Sequence, residues 1–337
     1  MKIGAVSWLC RPPSEHKQES MIMALDILTL GEALVEIMRT GIGQPLDQPG
    51  PFTGPYPSGA PFIFAVQAAR LGARVAGIGA VGEDAFGRCL IEQLRADGVD
   101  LRGIRVLKDH ATGVAFVAYF ADGSRDFVFH VREAAAGQIG PELVQEELFE
   151  GLRVLHLMGS TLSIHERALQ AGRRALELAQ QHGARFCFDP NLRPQLMPVE
   201  RAREVFAPFV QAADVIIPTA EEARLLTGQA TLEAAVETLL SAKPDRIVIV
   251  TQGKDGCTVY TREGAQHVPG FAVQEVDPTG AGDCFDAGFL MRWLKGASPV
   301  EAARFANACG ALAVTAQGPM SGARPLAEVE AFLASQR

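Results

Sequence analysis

The stretch Asp277-Pro278-Thr279-Gly280-Ala281-Gly282-Asp283, followed by Cys284-Phe285-Asp286-Ala287-Gly288-Phe289, constrains this chain more than any other. A turn of residues with little or no side chain opens a helix. Phe285, Phe289 and Trp293 mark its apolar face at i, i+4 and i+8, and Gly296 ends it. Bare N–H groups at such a helix start, on the positive end of the macrodipole, let a phosphate approach closely. Asp283 sits inside that anion site. A carboxylate beside bound phosphates opposes their binding unless it is there to take a proton. The combination reads as a general base next to a cradle for a transferring phosphoryl group. A bare GxGD is equally an ordinary glycine turn with an acid complementing the dipole; the longer string is more specific.

The rest of the chain alternates short apolar runs with helical patterns. Residues 26–30, 75–80, 154–158, 186–188, 215–217 and 247–250 read as buried strands. Residues 62–71, 86–96, 166–181 and 221–227 read as helices between them. This rhythm predicts an α/β fold with a mostly parallel sheet covered on both faces. Ligands of such sheets bind beyond the carboxyl ends of the strands.

Two segments break the rhythm. Residues 113–120 and 126–130 flank Ala121-Asp122-Gly123-Ser124-Arg125, a hairpin signal, and residues 35–39 form a possible third strand beside them. Together they predict a small β-sheet lid, with segments near 35–58 and 111–132, that excludes water from a phosphate site. An isolated hairpin is marginal in water, so the lid is also expected to join two copies as a homodimer. Residues 1–22 are polar and aperiodic after a short apolar run. They are expected to be a disordered tail before a folded domain at 23–337.

Net charge of −8 argues against nucleic acid as a general partner, and no apolar run reaches the length of a membrane span. The cysteines at 10, 89, 187, 257, 284 and 309 form no close pair, which suits a reducing, cytoplasmic setting. Gly77-Ile78-Gly79-Ala80-Val81-Gly82 is a literal GxGxxG after a strand. A dinucleotide site also needs a helix opening on the glycines and a second strand ending in an acid. Residues 98–102 around Asp100 are too broken for that strand.

The 277–289 string resembles the second signature of the PfkB or ribokinase-like carbohydrate kinases, and residues 71–87 resemble the first. The resemblance extends over residues 26–332. It implies a ribokinase-like three-layer α/β/α domain and an ATP-dependent sugar kinase using Mg²⁺, with K⁺ as a candidate activator. Asp283 would be the catalytic base, with Gly280, Ala281 and Gly282 forming the anion hole. Glu36, Gly59, Ala60, Arg132, Asn191 and Arg193 would contact the sugar. Thr219, Thr251, Gly253, Gly256 and Asn307 would border the nucleotide. Glu222 would hold Mg²⁺ through water, and Asp277, Thr279, Gly318 and Ser321 a monovalent cation.

Three positions depart from the family pattern: Ile63 and Thr219 stand where Asn is usual, and Glu36 where Asp is usual. Each arginine has an alternative reading as a solvated surface residue, and His130 and His156 read as structural. The substrate expectation is a ketohexose of the tagatose or fructose type. A 2-keto-3-deoxygluconate kinase, a nucleoside kinase and a sugar-binding sensor without catalysis stay open as alternatives.

Overall fold

A computed structural model describes residues 24–336; the tail expected at 1–22, and Cys10 with it, lies outside the described residues. The strands in chain order are β1 (Ile27–Leu30), β2 (Leu34–Arg39), β3 (Phe52–Ser58), β4 (Val75–Gly82), β5 (Ile104–Leu107), β6 (Gly113–Tyr119) and β7 (Arg125–His130). They continue with β8 (Val154–Met158), β9 (Arg185–Asp189), β10 (Val215–Ile216), β11 (Ile247–Thr251), β12 (Cys257–Thr261) and β13 (Gly264–Val268). The helices are α1 (Ala60–Arg70), α2 (Ala85–Ala96), α3 (Gly159–Ile164), α4 (Glu166–Gln181), α5 (Val199–Ala212), α6 (Ala220–Thr227), α7 (Leu232–Ser241), α8 (Ala281–Leu294), α9 (Pro299–Ala313) and α10 (Leu326–Ser335).

The main sheet has nine strands in the order β13-β12-β11-β10-β9-β8-β1-β4-β5. All neighbours are parallel except the β11-β12-β13 edge, which is antiparallel. Every residue of β1, β4 and β8 is buried, so these strands carry apolar side chains on both faces. One face packs a core that includes Phe62 and Phe64 of α1 and Phe289 of α8. The other packs Leu169 and Leu178 of α4 with Phe206 and Phe209 of α5. Strand β9 shows the division: Cys187 joins the first core, Phe186 and Phe188 the second.

The strand order reverses at β1, whose neighbours are β4 and β8. A crevice opens beyond the carboxyl ends at such a switch point. Four further strands, β3-β2-β6-β7, form a separate sheet. The hairpin is there, β6 pairing antiparallel with β7, and the expected third strand β2 joins β6 in parallel. Strand β3, with Pro55 and Pro57, completes an edge that the alternation rule does not find. Proline lacks a ladder donor and is tolerated at such an edge.

The GxGxxG run lies wholly inside β4 and opens no helix. A Cβ at Gly77 or Gly79 would come within 2.4 or 2.7 Å of the Phe62 ring. These glycines make room for an aromatic side chain of α1, and the dinucleotide reading falls on packing grounds.

Candidate active site

Helix α8 starts where the sequence places it. Gly280 is its N-cap with φ 85°, a left-handed conformation suited to glycine, and a Cβ there would meet the Pro319 carbonyl at 2.6 Å. Gly282 differs: a Cβ built on it meets no atom within 4 Å. Protein packing does not demand glycine at 282, whereas close approach of a phosphate to the helix N–H groups does.

Asp283 follows on the first turn and is 8% exposed. Among the described residues no donor engages its carboxyl group. Burial pushes its pKa up to about 7, with Glu32 and Glu36 adding to the rise and Arg193 and Arg125 opposing it. A carboxylate held near neutrality, free of protein hydrogen bonds and facing a cavity, has the properties of a general base.

The cavity is about 280 Å³ and lies between the two sheets. Its walls include Glu36, Gly59, Ala60, Asn191, Arg193, Thr219, Glu222, Thr251, Thr279 and residues 280–283. Glu36, on β2, accepts a hydrogen bond from Ser58 Oγ at 2.6 Å, and its Oε2 is buried without a partner among the described residues. Burial lifts its pKa to about 7. An unpartnered carboxylate oxygen on a cavity wall is a receptor for a hydroxyl group. Glu32, beyond β1, is by contrast already satisfied by Ser160 Oγ at 2.9 Å and Thr161 Oγ1 at 2.5 Å.

The turn after β9 is held at several points. Asn191 has φ 36°, its N–H donates to Asp189 Oδ1 at 2.9 Å, and its own Oδ1 is buried without a partner among the described residues. Glu222 Oε1 accepts from the Leu192 N–H at 2.8 Å, while its Oε2 accepts from the Thr219 N–H at 2.8 Å. Thr219 Oγ1 accepts in return from the Glu222 N–H, a capping box that starts α6. The Thr219 departure is thus a helix cap. It leaves Glu222 facing the cavity.

The cation candidates converge behind the anion cradle. Asp277 is 3% exposed; its Oδ1 accepts from the Thr279 N–H at 3.0 Å and its Oδ2 from the Gly318 N–H at 2.9 Å. The Ser321 N–H donates to the Gly318 carbonyl at 3.1 Å. The lid reaches the same point: Tyr119 Oη lies 3.0 Å from Asp277 Oδ1 and 3.0 Å from Thr279 Oγ1.

Some expected residues stand elsewhere. Arg132 is exposed, outside the cavity wall, and donates to the Leu196 carbonyl at 3.3 Å. Arg125, at the start of β7, lines the cavity in its place, with Nη1 3.5 Å from Thr279 Oγ1. Strand register decides this. Arg125 shares a face with the cavity-lining Phe127 and Phe129, three alternate positions of one strand. That alternation was a signal in the sequence, as was Tyr119 on β6. Gly253 and Gly256 lie in the turn after β11, outside the cavity wall, and Gly256 packs against the Val268 carbonyl. Asn307 donates to the Val268 and Pro269 carbonyls at 3.0 and 3.1 Å, pinning α9 to the end of β13. The described residues contain no cluster of three or more metal-ligating side chains and no helix long and apolar enough to cross a membrane.

A helix-start anion cradle, a buried free carboxylate and a small lid sheet over a switch-point crevice define a phosphotransferase acting on a small hydroxyl compound. The chain belongs to the pfkB family of carbohydrate kinases, whose family model matches residues 28–325. It is an ATP-dependent sugar kinase. It is 36% identical over 311 residues to fructokinase-1 of Zea mays, covering 90% of this chain and 96% of that one. The fold matches a Vibrio cholerae fructokinase double mutant in fructose, ADP and potassium ion bound form, with TM-score 0.80, 30% identity, and 92% and 99% of the two chains covered. It also matches an E. coli protein provisionally called ribokinase II, in complex with ATP and Mg²⁺, with TM-score 0.87, 41% identity, and 92% and 99% covered.

Proposed function

We propose that this kinase phosphorylates the primary hydroxyl of a ketohexose, with Asp283 as the base. The observation that carries the reading is the Asp283 carboxyl: buried, without a donor among the described residues, and on the first turn of a helix whose Gly282 is open to a phosphate. The hydroxyl oxygen forms a bond to the γ-phosphorus of ATP in line, and the bond from that phosphorus to the β–γ bridging oxygen breaks. The hydroxyl proton passes to Asp283, and ADP leaves. The N–H groups at 280–283 stabilise charge on the transferring group. Glu36 Oε2 and Asn191 Oδ1, both buried without partners among the described residues, accept hydrogen bonds from sugar hydroxyl groups.

The donor set fits Mg²⁺ held through water. Glu222 faces the cavity with each oxygen already accepting one backbone N–H, so it suits a hydrated cation shared with phosphates rather than direct ligation. When bound, that ion neutralises charge on the phosphate oxygens. The buried Asp277 carboxylate, with the Thr279 hydroxyl and the Gly318 and Ser321 turn beside it, supplies oxygen donors that would suit K⁺. Fructokinases among the relatives support a neutral ketose; they lend no support to the 2-keto-3-deoxygluconate alternative. An ATP-consumption assay on fructose, tagatose and 2-keto-3-deoxygluconate tests this. Clear preference for the acid would reject it.

A homodimer through the lids is part of the same proposal, on altered grounds. Phe127 and Phe129 line the cavity and are not a dimer surface. The outward face keeps Phe116 beside its cross-strand neighbour Val128, 42% exposed, and Phe52, 40% exposed.

A further inference from the structure

The mechanism above leaves one buried polar pair unused. Asp286 stands three residues after Asp283 on α8, hence on the same face, and also lines the cavity. It is 2% exposed, and its Oδ2 lies 3.1 Å from Nε2 of His156. His156 is fully buried in the middle of β8, in register with Thr29 of β1 and Cys187 of β9. Its ring stacks on Phe64 of α1 with centroids 3.9 Å apart and planes 10° apart. Nδ1 has no partner among the described residues.

These facts determine the proton arrangement. A buried N–H without an acceptor is rarer than a bare lone pair, so the proton belongs on Nε2 and is donated to Asp286. Burial drives the His156 pKa down to about 3, so the ring is neutral. Burial first, and the neighbouring Asp189 carboxylate at the end of β9 next, raise the pKa of Asp286 well above its ordinary value. The result is a hydrogen bond from His156 to Asp286 that ties β8 to α8 under the cavity.

Stability does not explain the pair. A buried polar pair replaced by well-packed apolar groups is often neutral or stabilising. His156 already packs like an aromatic residue against Phe64. What an apolar pair would not supply is direction: a hydrogen bond fixes the rotation of α8 about its axis and its height above the sheet. Asp283 rides on the same helix face.

We propose that Asp286 and His156 are positioning residues that hold Asp283 in line with the attacking hydroxyl. The inference rests on the reading of Asp283 as the base. His156→Phe keeps the stack on Phe64 and removes the hydrogen bond. Asp286→Leu removes it from the other side. Asp286→Asn keeps it, with the amide oxygen accepting from His156.

The test is steady-state kinetics of ketohexose phosphorylation by the full-length enzyme, with thermal melting alongside. The double variant His156→Phe/Asp286→Leu is expected to melt no lower than the parent, the single variants lower because each leaves one buried polar group unpaired, and all three to lose about tenfold in kcat, the scale of a sub-ångström misplacement. KM for ATP and sugar should stay within about twofold. Asp286→Asn should recover to within about threefold of the parental kcat. Parental kcat in the double variant overturns the inference. So does a loss that tracks KM, failure of the double variant to fold, or failure of Asp286→Asn to recover. Asp283→Asn separates the two readings. If it alone keeps parental turnover, the base assignment fails. If it is inactive while His156→Phe is not, only the positioning role fails. The double variant Asp283→Asn/His156→Phe should lose no more than Asp283→Asn, because His156 acts through Asp283.

Discussion

Tyr119 on the lid donates its hydroxyl to Asp277 on the loop that feeds the anion cradle, at 3.0 Å. Its sheet and its partner's loop are separated by 158 residues of chain. Burial raises the Tyr119 pKa, so the phenol stays a donor throughout the working pH range. The bond makes lid position and cradle geometry parts of one structure. Tyr119→Phe removes a donor to a buried carboxylate, a loss of about 1.5–3 kcal/mol. The expected outcome is a lower melting temperature and a raised sugar KM, read by calorimetry and kinetics. Unchanged values for both would show that the contact carries no coupling.

Asp283→Asn preserves shape and removes the base. A positioned base contributes about 10² to 10⁴ in rate. Turnover should fall by that order while ATP still binds, measured by coupled assay and titration calorimetry.

The elevated Asp283 pKa has two signed consequences. The base must be ionised in the free enzyme, so kcat/KM should climb with pH and level off above about 7. In the unfolded chain the carboxyl titrates at 3.8, in the folded one at about 7. Between these values the native state holds a proton that the unfolded state has released. This group's contribution to stability therefore falls as pH rises from about 4 to about 7 and is constant above. Asp283→Asn should melt higher than the parent at pH 8, and the gap should close toward pH 4.

Arg125→Ala and Arg132→Ala should part company. Arg125 lines the cavity and lowers the pKa values of Asp283 and Glu36; Arg132 is exposed outside the wall. Losing Arg125 should weaken catalytic efficiency by about tenfold, the value of one charge-assisted contact. Losing Arg132 should leave it within about twofold, as for most surface changes.

Light scattering at dilute concentration should give twice the monomer mass. Val128→Lys on the outward lid face should return the monomer mass, because a charge at an apolar contact is left unpaired.

What could be read before folding was whatever depends on neighbours along the chain. The cradle at 277–283 is a local helix start, and its residues remain adjacent whatever the rest does. Strand β8 and the hairpin of β6 and β7 were legible because alternation and apolar runs record burial directly. Strand β3 was not, since its prolines hide an edge strand whose only need is one partner.

The sequence by itself determined the parallel α/β layering, the anion cradle and the identity of its carboxylate, because each rests on local pattern or on a short contiguous motif. Only the tertiary structure decided which arginine faces the cavity. Register on β7 aims the exposed Arg125 at the cavity while Arg132, just past the strand's end, lies off the cavity wall, and register is set by pairing with a strand elsewhere. The same holds for Asn307, which pins α9 to β13, and for the union of His156 with Asp286 across 130 residues. Hydrogen bonds between residues so far apart form only when the sheet and its helices are assembled, and no local propensity encodes them.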